Sequence, residues 1–250
     1  MRYFLRLAYD GTDYHGWQRQ PNGTSVQQTL EDALSVILQE RTDITGAGRT
    51  DAGVHASEMY AHFDTRGVTE PSRLLTSLNR MVGNAISVTE LIPVKDDAHA
   101  RFDAISRSYR YYISLKKNPF KFRFSHFMNQ KPDIETMNEA ARLLLETKDF
   151  TSFAKLHSDA KTNICKVTEA YWEYDSGEEV IKFNITADRF LRNMVRAVVG
   201  TLIEVGRGKL TLSGFKDVIT KRDRCEAGVS MPAKGLFLTE IKYPDNIWLA

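Results

Sequence analysis

The chain has 250 residues, of which 42% are hydrophobic and 26% charged, and its formal net charge at pH 7 is +2. This composition is that of an ordinary globular protein, so it excludes a largely disordered chain and does not by itself indicate nucleic-acid binding. No segment is apolar enough to span a bilayer, the first residues lack a signal-peptide core, and two cysteines make no disulfide framework, which together predict a cytoplasmic protein.

The first half of the chain predicts strands and helices in alternation. Side chains alternate along a strand from Arg2 to Tyr9, and Ser25 caps a helix whose apolar residues recur at helical spacing. After this helix we expect a strand from Val54 to Thr65, a helix that begins at Pro71 and a strand from Ile86 to Pro93.

The second half has a similar order of elements. We expect strands over Ile105 to Leu115, Ile164 to Tyr174, Val180 to Ala187 and Leu236 to Tyr243. Helices are expected over Asp133 to Glu146, from about Phe190 to Val205, and over Leu212 to Thr220. Arg192 and Arg196 are four positions apart, so we expect them on one face of the Phe190 helix. Since no linker divides the chain, we predict an α+β fold with two similar lobes, 1–103 and 104–250. They would share a mixed, mostly antiparallel sheet flanked by helices, with a central basic cleft.

The segment from Gly46 to Ala56 holds one carboxylate among three glycines, beside an arginine. Glycines permit backbone angles that are closed to other residues and let another molecule approach the main chain, so a shaped loop is predicted. Arg49 lies two positions before Asp51, and a positive charge near a carboxyl group lowers its pKa. The density of titratable side chains in so short a connector makes Asp51 the first candidate for a catalytic anion.

Two other interpretations of this segment stay open from the residues alone. The same residues are typical of a turn in which a threonine or aspartate side chain accepts hydrogen bonds from nearby main-chain amides. Asp51, His55 and His62 would suit metal-dependent phosphoester hydrolysis, but their spacing supplies no third ligand cluster and places the histidines on opposite faces of a strand. A triphosphate-binding loop is not favoured, because no Gly-Lys-Ser/Thr ending is present.

A basic and aromatic segment runs from Arg101 to Arg123, with Asp103 as its one acidic residue. Its cations and rings include Arg101, Arg107, Arg110, Lys116, Lys117, Lys121, Arg123, Tyr109, Tyr111, Tyr112, Phe120 and Phe122, and Phe124 follows directly. Cations that neutralise phosphates, set among rings on which bases stack, are typical of proteins that bind single-stranded or looped RNA. The alternative is a half-buried strand with one solvated face and one aromatic core face.

Several motifs, in their order along the chain, resemble the TruA family of tRNA pseudouridine synthases over nearly the whole length. They are Tyr9-Asp10-Gly11-Thr12, His15-Gly16-Trp17-Gln18-Arg19-Gln20, Val26-Gln27, Gly48 to Ala56, His99-Ala100-Arg101-Phe102, Arg107 to Tyr111, Phe190 to Arg196, and Ala227-Gly228 with Pro232, Gly235, Leu236 and Leu238. The segment Val82 to Ile86 departs from the family, in which a Leu-Pro pair is usual. That departure lies outside the catalytic motifs.

The resemblance implies a pseudouridine-synthase fold and the isomerisation of uridines 38, 39 and 40 in the anticodon stem-loop of tRNA. Asp51 takes the position of the nucleophile, Tyr109 that of the tyrosine stacked on the target base, and Arg196 that of the arginine paired with the aspartate. Arg49 matches the arginine that helps to move the base out of its stack. Arg107, Arg110 and His55 complete the substrate-binding residues that we expect.

The resemblance also implies a homodimer in which one tRNA contacts both subunits, with no metal, no organic cofactor and no membrane. A carboxylate can form a covalent intermediate without a cofactor. The competing hypothesis from another class is a catalytically silent RNA-binding protein on the same scaffold. Pure binding has no need of a confined carboxylate close to RNA phosphates, which disfavours that hypothesis.

Overall fold

The computed structural model describes residues 1–66, 68, 70–156 and 161–249. In chain order, the strands and α-helices of these residues are β1 (Arg2–Tyr9), α1 (Val26–Leu38), β2 (Thr45–Gly46), β3 (His55–Asp64), α2 (Pro71–Met81), β4 (Ile86–Val94), β5 (Ser106–Ser114), β6 (His126–Phe127), α3 (Ile134–Glu146), β7 (Val167–Asp175), β8 (Val180–Ala187), α4 (Met194–Gly206), α5 (Leu212–Lys221) and β9 (Leu236–Lys242). Across those ranges no helix combines the length and apolar character needed to cross a bilayer.

The predicted α+β class is confirmed, because the strands form a mixed, mostly antiparallel sheet flanked by helices. The basic cleft stays a prediction. The chain divides into two compact units, of which the first contains Met1–Ser106 and Leu238–Ala250 and the second contains Arg107–Phe237. The division into lobes 1–103 and 104–250 stays a prediction.

In the first unit, β1 is a central strand that pairs antiparallel with β3 on one edge and β4 on the other. Phe4 is fully buried together with Leu5 and Leu7, so both faces of β1 are covered and not only the face that alternation predicts. The predicted cap of α1 forms, since the Ser25 hydroxyl oxygen accepts the Gln28 amide at 3.2 Å. Pro71 opens α2, as expected of a residue that lacks an amide hydrogen.

The C-terminal segment belongs to the first unit because its rings complete the core there. The rings of Tyr243 and Trp248 meet the Phe4 ring edge-on at 5.3 and 5.7 Å. On the other side, Phe4 stacks with His62 at 6.1 Å. Burial, assisted by the positive charge of Arg2, lowers the pKa of His62 to about 4, and its Nδ1 accepts the Ala100 amide at 3.1 Å. His62 is therefore a neutral core residue.

In the second unit, β8 is central and pairs antiparallel with β5 and β7, while β6 adds to β5 in parallel. Helix α3 begins after Asp133, whose carboxylate accepts the amides of Glu135 and Thr136. It packs on β7 and α4. Most residues of α4 are buried, as the hydrophobic run in the sequence predicts.

The expected start of α4 at Phe190 is wrong, because the helix begins at Met194. Asn193 has φ 66°, in the left-handed region, which a right-handed helix does not contain. Its side-chain amide donates to the Ser230 hydroxyl oxygen at 2.6 Å, and this long-range bond accompanies the sharp entry into the helix. Arg192 and Arg196 therefore do not share a helix face, and Arg192 is an exposed residue in the segment before α4.

Candidate active site

The loop that carries Asp51 lies between β2 and β3 and is anchored through its backbone. The Ala47 amide donates to the Tyr60 carbonyl at 2.8 Å, and the Thr50 carbonyl accepts the Trp17 amide at 3.3 Å. The Val54 amide closes a turn on the Asp51 carbonyl at 3.1 Å, with Gly53 at φ 75° in the position that favours glycine. Asp51 is half-buried in this loop and Arg49 is exposed. A turn closed by main-chain atoms is thus present, and it carries the candidate carboxylate.

Three glycines let the loop pack against the segment between β1 and α1. A Cβ on Gly11 would collide with the Val54 carbonyl, and a Cβ on Gly46 would enter the Trp17 ring. Gly16 has φ 85°, and a Cβ there would collide with the Thr50 carbonyl and lie 3.1 Å from the Asp51 carbonyl carbon. The N-terminal motif and the Asp51 motif therefore form one closely packed structure.

Side chains from the N-terminal motif also bind the Asp51 loop. The hydroxyl groups of Tyr9 and Thr50 are 2.8 Å apart and both are buried. Sequence reasoning did not identify this pair, although both residues lie in motifs that carry the resemblance. Their bond fixes Thr50 immediately before the candidate nucleophile.

His55 is placed as a structural support of the loop. Its side chain is 1% exposed, and its Nδ1 accepts the Gly11 amide at 3.0 Å, which requires an unprotonated Nδ1. Asp10 Oδ1 lies 3.1 Å from the same nitrogen, but it also accepts the Thr12 amide and hydroxyl at 2.9 and 2.5 Å. Burial of His55 favours positioning over direct contact with a substrate. The described residues contain no group of three or more His, Cys, Asp or Glu that could hold a metal ion.

Tyr109 lies on β5 in the second unit, where alternation places Arg107, Tyr109 and Tyr111 on one face. The Tyr109 ring meets the Phe190 ring edge-on at 5.0 Å. Arg107 Nη1 donates to the Asp188 carbonyl at 2.8 Å. The motifs that begin at Arg107 and Phe190 are therefore in contact within this unit.

Arg110 lies on the opposite face of β5 from Tyr109. Its Nε donates to Asn184 Oδ1 at 2.6 Å, across the β5–β8 pairing. The two expected substrate-binding arginines of this strand are therefore not brought together, and only Arg107 shares the Tyr109 face.

Arg196 lies in the first turns of α4, and its Nε donates to the Met231 carbonyl at 2.6 Å. The next carbonyl, that of Pro232, accepts the Tyr111 hydroxyl at 2.8 Å. Burial raises the pKa of Tyr111, and the positive charge of Arg196 partly offsets this effect. The face of β5 that carries Tyr109 is thereby joined to the start of α4.

The basic and aromatic segment has two parts. Its first part is β5, a half-buried strand as the alternative interpretation predicted. The loop that follows presents Phe120 and Phe122, which are 88% and 58% exposed. In the same loop Lys116 lies 3.8 Å from Glu179 and Lys121 forms an ion pair with Glu178, so part of the positive charge is neutralised.

Asp51 belongs to the first compact unit, and Tyr109 and Arg196 belong to the second.

Comparison with known proteins agrees with the motifs. A family model described as tRNA pseudouridine synthase matches residues 7–103 and 140–244. Proteins named tRNA pseudouridine synthase A from Bacteroides thetaiotaomicron and Bacteroides fragilis are 55% and 53% identical to the chain, covering 99% of it and 92% and 98% of their own lengths. The protein of that name from Porphyromonas gingivalis is 52% identical over 99% of both chains.

Proposed function

Because the chain belongs to the TruA family of tRNA pseudouridine synthases, we propose that it isomerises uridine to pseudouridine at positions 38, 39 and 40 of the tRNA anticodon stem-loop, with Asp51 as the nucleophile. The observation that carries the proposal is the construction of the Asp51 loop. Two separate motifs pack around it through glycines, a buried hydroxyl pair and a buried histidine, so that one half-buried carboxylate is held in place.

The reaction needs the target base out of its stack. A nucleophile cannot reach the glycosidic region of a stacked uridine, and extrusion costs a few kcal/mol, less in a loop or at a stem end. Arg49 is exposed beside Asp51 and is assigned to this step. Tyr109 would stack on the extruded uracil.

Chemistry then proceeds through the Asp51 carboxylate, which forms a covalent bond to the nucleotide at uracil C6 or ribose C1′. The bond between N1 and C1′ breaks, the uracil turns, C5 bonds to C1′, and the bond to Asp51 breaks, which regenerates the carboxylate. The hydrogen on C5 leaves as a proton and N1 gains a proton, so the overall reaction is an isomerisation. Arg196 would pair with Asp51. His55 and Thr50 are assigned to positioning the loop.

The proposed partner is tRNA, bound by a homodimer so that one tRNA contacts both subunits. The exposed rings of Phe120 and Phe122 and the cations around them are proposed to contact looped RNA.

Pseudouridine mapping in tRNA tests the proposal. Cells that lack the protein should have uridine at positions 38, 39 and 40, and re-expression should restore pseudouridine there. An unchanged pseudouridine content at these positions in cells that lack the protein would contradict the assigned substrate. RNA binding without any restored pseudouridine would instead support the silent RNA-binding protein.

A further inference from the structure

Resting on the proposed function, we propose that Arg224 is a positioning residue for the reaction. Its guanidinium fixes residues 227–232, here called the strap, and the strap fixes the guanidinium of Arg196. Arg224 lies in a short 3-10 turn after α5 and is not part of any motif assigned above. All the residues concerned lie in the second compact unit.

The strap lies directly on α4. A Cβ on Gly200 would collide with the Val229 carbonyl, and a Cβ on Gly228 would lie 3.0 Å from the Thr201 backbone. The Gly228 amide donates to the Thr201 hydroxyl oxygen at 2.9 Å. This close approach sets the distance of the strap from the helix but leaves its carbonyls to be oriented by other groups.

The C-terminal part of the strap, at Met231, forms two hydrogen bonds with Arg196. The Met231 amide donates to the Arg196 carbonyl at 3.1 Å, and Arg196 Nε donates to the Met231 carbonyl at 2.6 Å. The second bond fixes the plane of the guanidinium, because Nε is part of that plane. The direction in which Arg196 presents its terminal nitrogens therefore depends on the position of the Met231 carbonyl.

The N-terminal part of the strap, before Met231, is held by Arg224. Nη1 donates to the carbonyls of Ala227 and Gly228, both at 3.2 Å, and Nη2 donates to the Ser230 hydroxyl oxygen at 2.8 Å. The same hydroxyl oxygen accepts from the Asn193 side chain, three residues before Arg196. A planar guanidinium reaches three acceptors at fixed angles, which a lysine ammonium does not.

Apolar burial contributes little to the shape of the strap. Val229 is 85% exposed, and the other strap residues are exposed or half-buried. Together with the bonds that Thr201 and Asn193 form, the polar bonds of Arg224 therefore hold the strap before Met231. Loss of these bonds should let the Met231 carbonyl shift, and the Arg196 guanidinium with it.

The test compares Arg224→Met with Arg222→Met, a matched control in which the lost guanidinium pairs with Asp149 at 3.2 Å. Single-turnover pseudouridine formation and tRNA binding are measured at enzyme excess, with thermal unfolding to confirm folding. Arg224→Met should slow the reaction about tenfold with the Kd for tRNA within about twofold of wild type. Arg222→Met should match wild type in both.

A double-mutant cycle separates positioning from general destabilisation. In an Arg196→Ala background, Arg224→Met should change the rate by less than about twofold, because the residue through which it acts is already absent. Arg224→Lys and Ser230→Ala repeat the test if Arg224→Met is too unstable, and they should show smaller losses of the same kind. Three results would each overturn the inference. They are an unchanged rate in folded Arg224→Met, rate losses that multiply in the double variant, and a rate loss that weaker tRNA binding explains. Failure of the proposed function is distinct, since wild type itself would then form no pseudouridine.

Discussion

Gly16→Ala should inactivate the enzyme by displacing Asp51, although Gly16 contacts no substrate in the proposed mechanism. Gly16 has φ 85°, a conformation that costs an L-residue roughly 1–2 kcal/mol. The added Cβ would lie 3.1 Å from the Asp51 carbonyl carbon and 3.2 Å from the Ala52 nitrogen, where ordinary contacts are 3.4–4 Å. The Thr50 carbonyl oxygen is closer still and would have to move by about 1 Å.

That displacement reaches Asp51 directly, because Thr50 precedes it in the chain. A misplacement of about 1 Å in a catalytic group costs about 10²-fold in rate. We therefore expect the single-turnover rate of Gly16→Ala to fall about a hundredfold, while the Kd for tRNA changes by less than about threefold. The backbone strain should also lower the midpoint of thermal unfolding by about 2–8 °C.

Gly83→Ala is the matched control. Gly83 has φ 74° in the same compact unit, but nothing lies within 4 Å of the position of its added Cβ. It therefore carries the same backbone strain without the collision, and we expect a lower unfolding midpoint with a rate within about twofold of wild type. A folded Gly16→Ala enzyme that turns over as fast as Gly83→Ala would refute the reasoning.

Two further predictions concern stability and RNA binding. The pKa of His62 is about 4 in the folded protein and ordinarily 6.5, so the unfolded chain binds the extra proton and stability falls by about 2 kcal/mol as the pH drops from 7 to 5. His62→Asn, whose Oδ1 can accept the Ala100 amide, should make stability in thermal unfolding depend less on pH between 7 and 5. An equally steep dependence on pH would show that His62 is not the group responsible. Replacing Phe120 and Phe122 with serine should weaken tRNA binding at fixed salt at least about fivefold, as expected if one base stacks there, whereas Val36→Ser at a 65% exposed site should not. Equal affinities would remove these rings from the RNA-binding surface.

Most elements could be predicted from the sequence because their signals are local. Alternation defined β1, the Ser25 cap defined the start of α1, and Pro71 defined the start of α2. Strands of two residues, such as β2, are too short to show any period. The start of α4 was misplaced because Asn193 adopts its left-handed conformation with a bond to Ser230, 37 positions away.

Only part of the candidate site could be predicted from the sequence. The density of glycines and charges pointed to Asp51, but the support around it comes from pairs distant in sequence, such as Tyr9 with Thr50 and Gly11 with His55. The face assignment of β5 separates Arg110 from Tyr109, and that follows from strand geometry once the strand is known. The roles of Tyr109, Arg196 and Arg49 came from family resemblance alone.

The central claim is that the Asp51 carboxylate is the nucleophile. The most direct measurement is tritium release from C5-labelled uridine in tRNA under single-turnover conditions, with Asp51→Asn compared with Asp43→Asn. Asp43 is a suitable control because its carboxylate is 69% exposed and pairs with exposed Arg41. We expect no release from Asp51→Asn, tRNA binding within about threefold of wild type, and full activity in Asp43→Asn. Release by Asp51→Asn at a rate near wild type would contradict the claim.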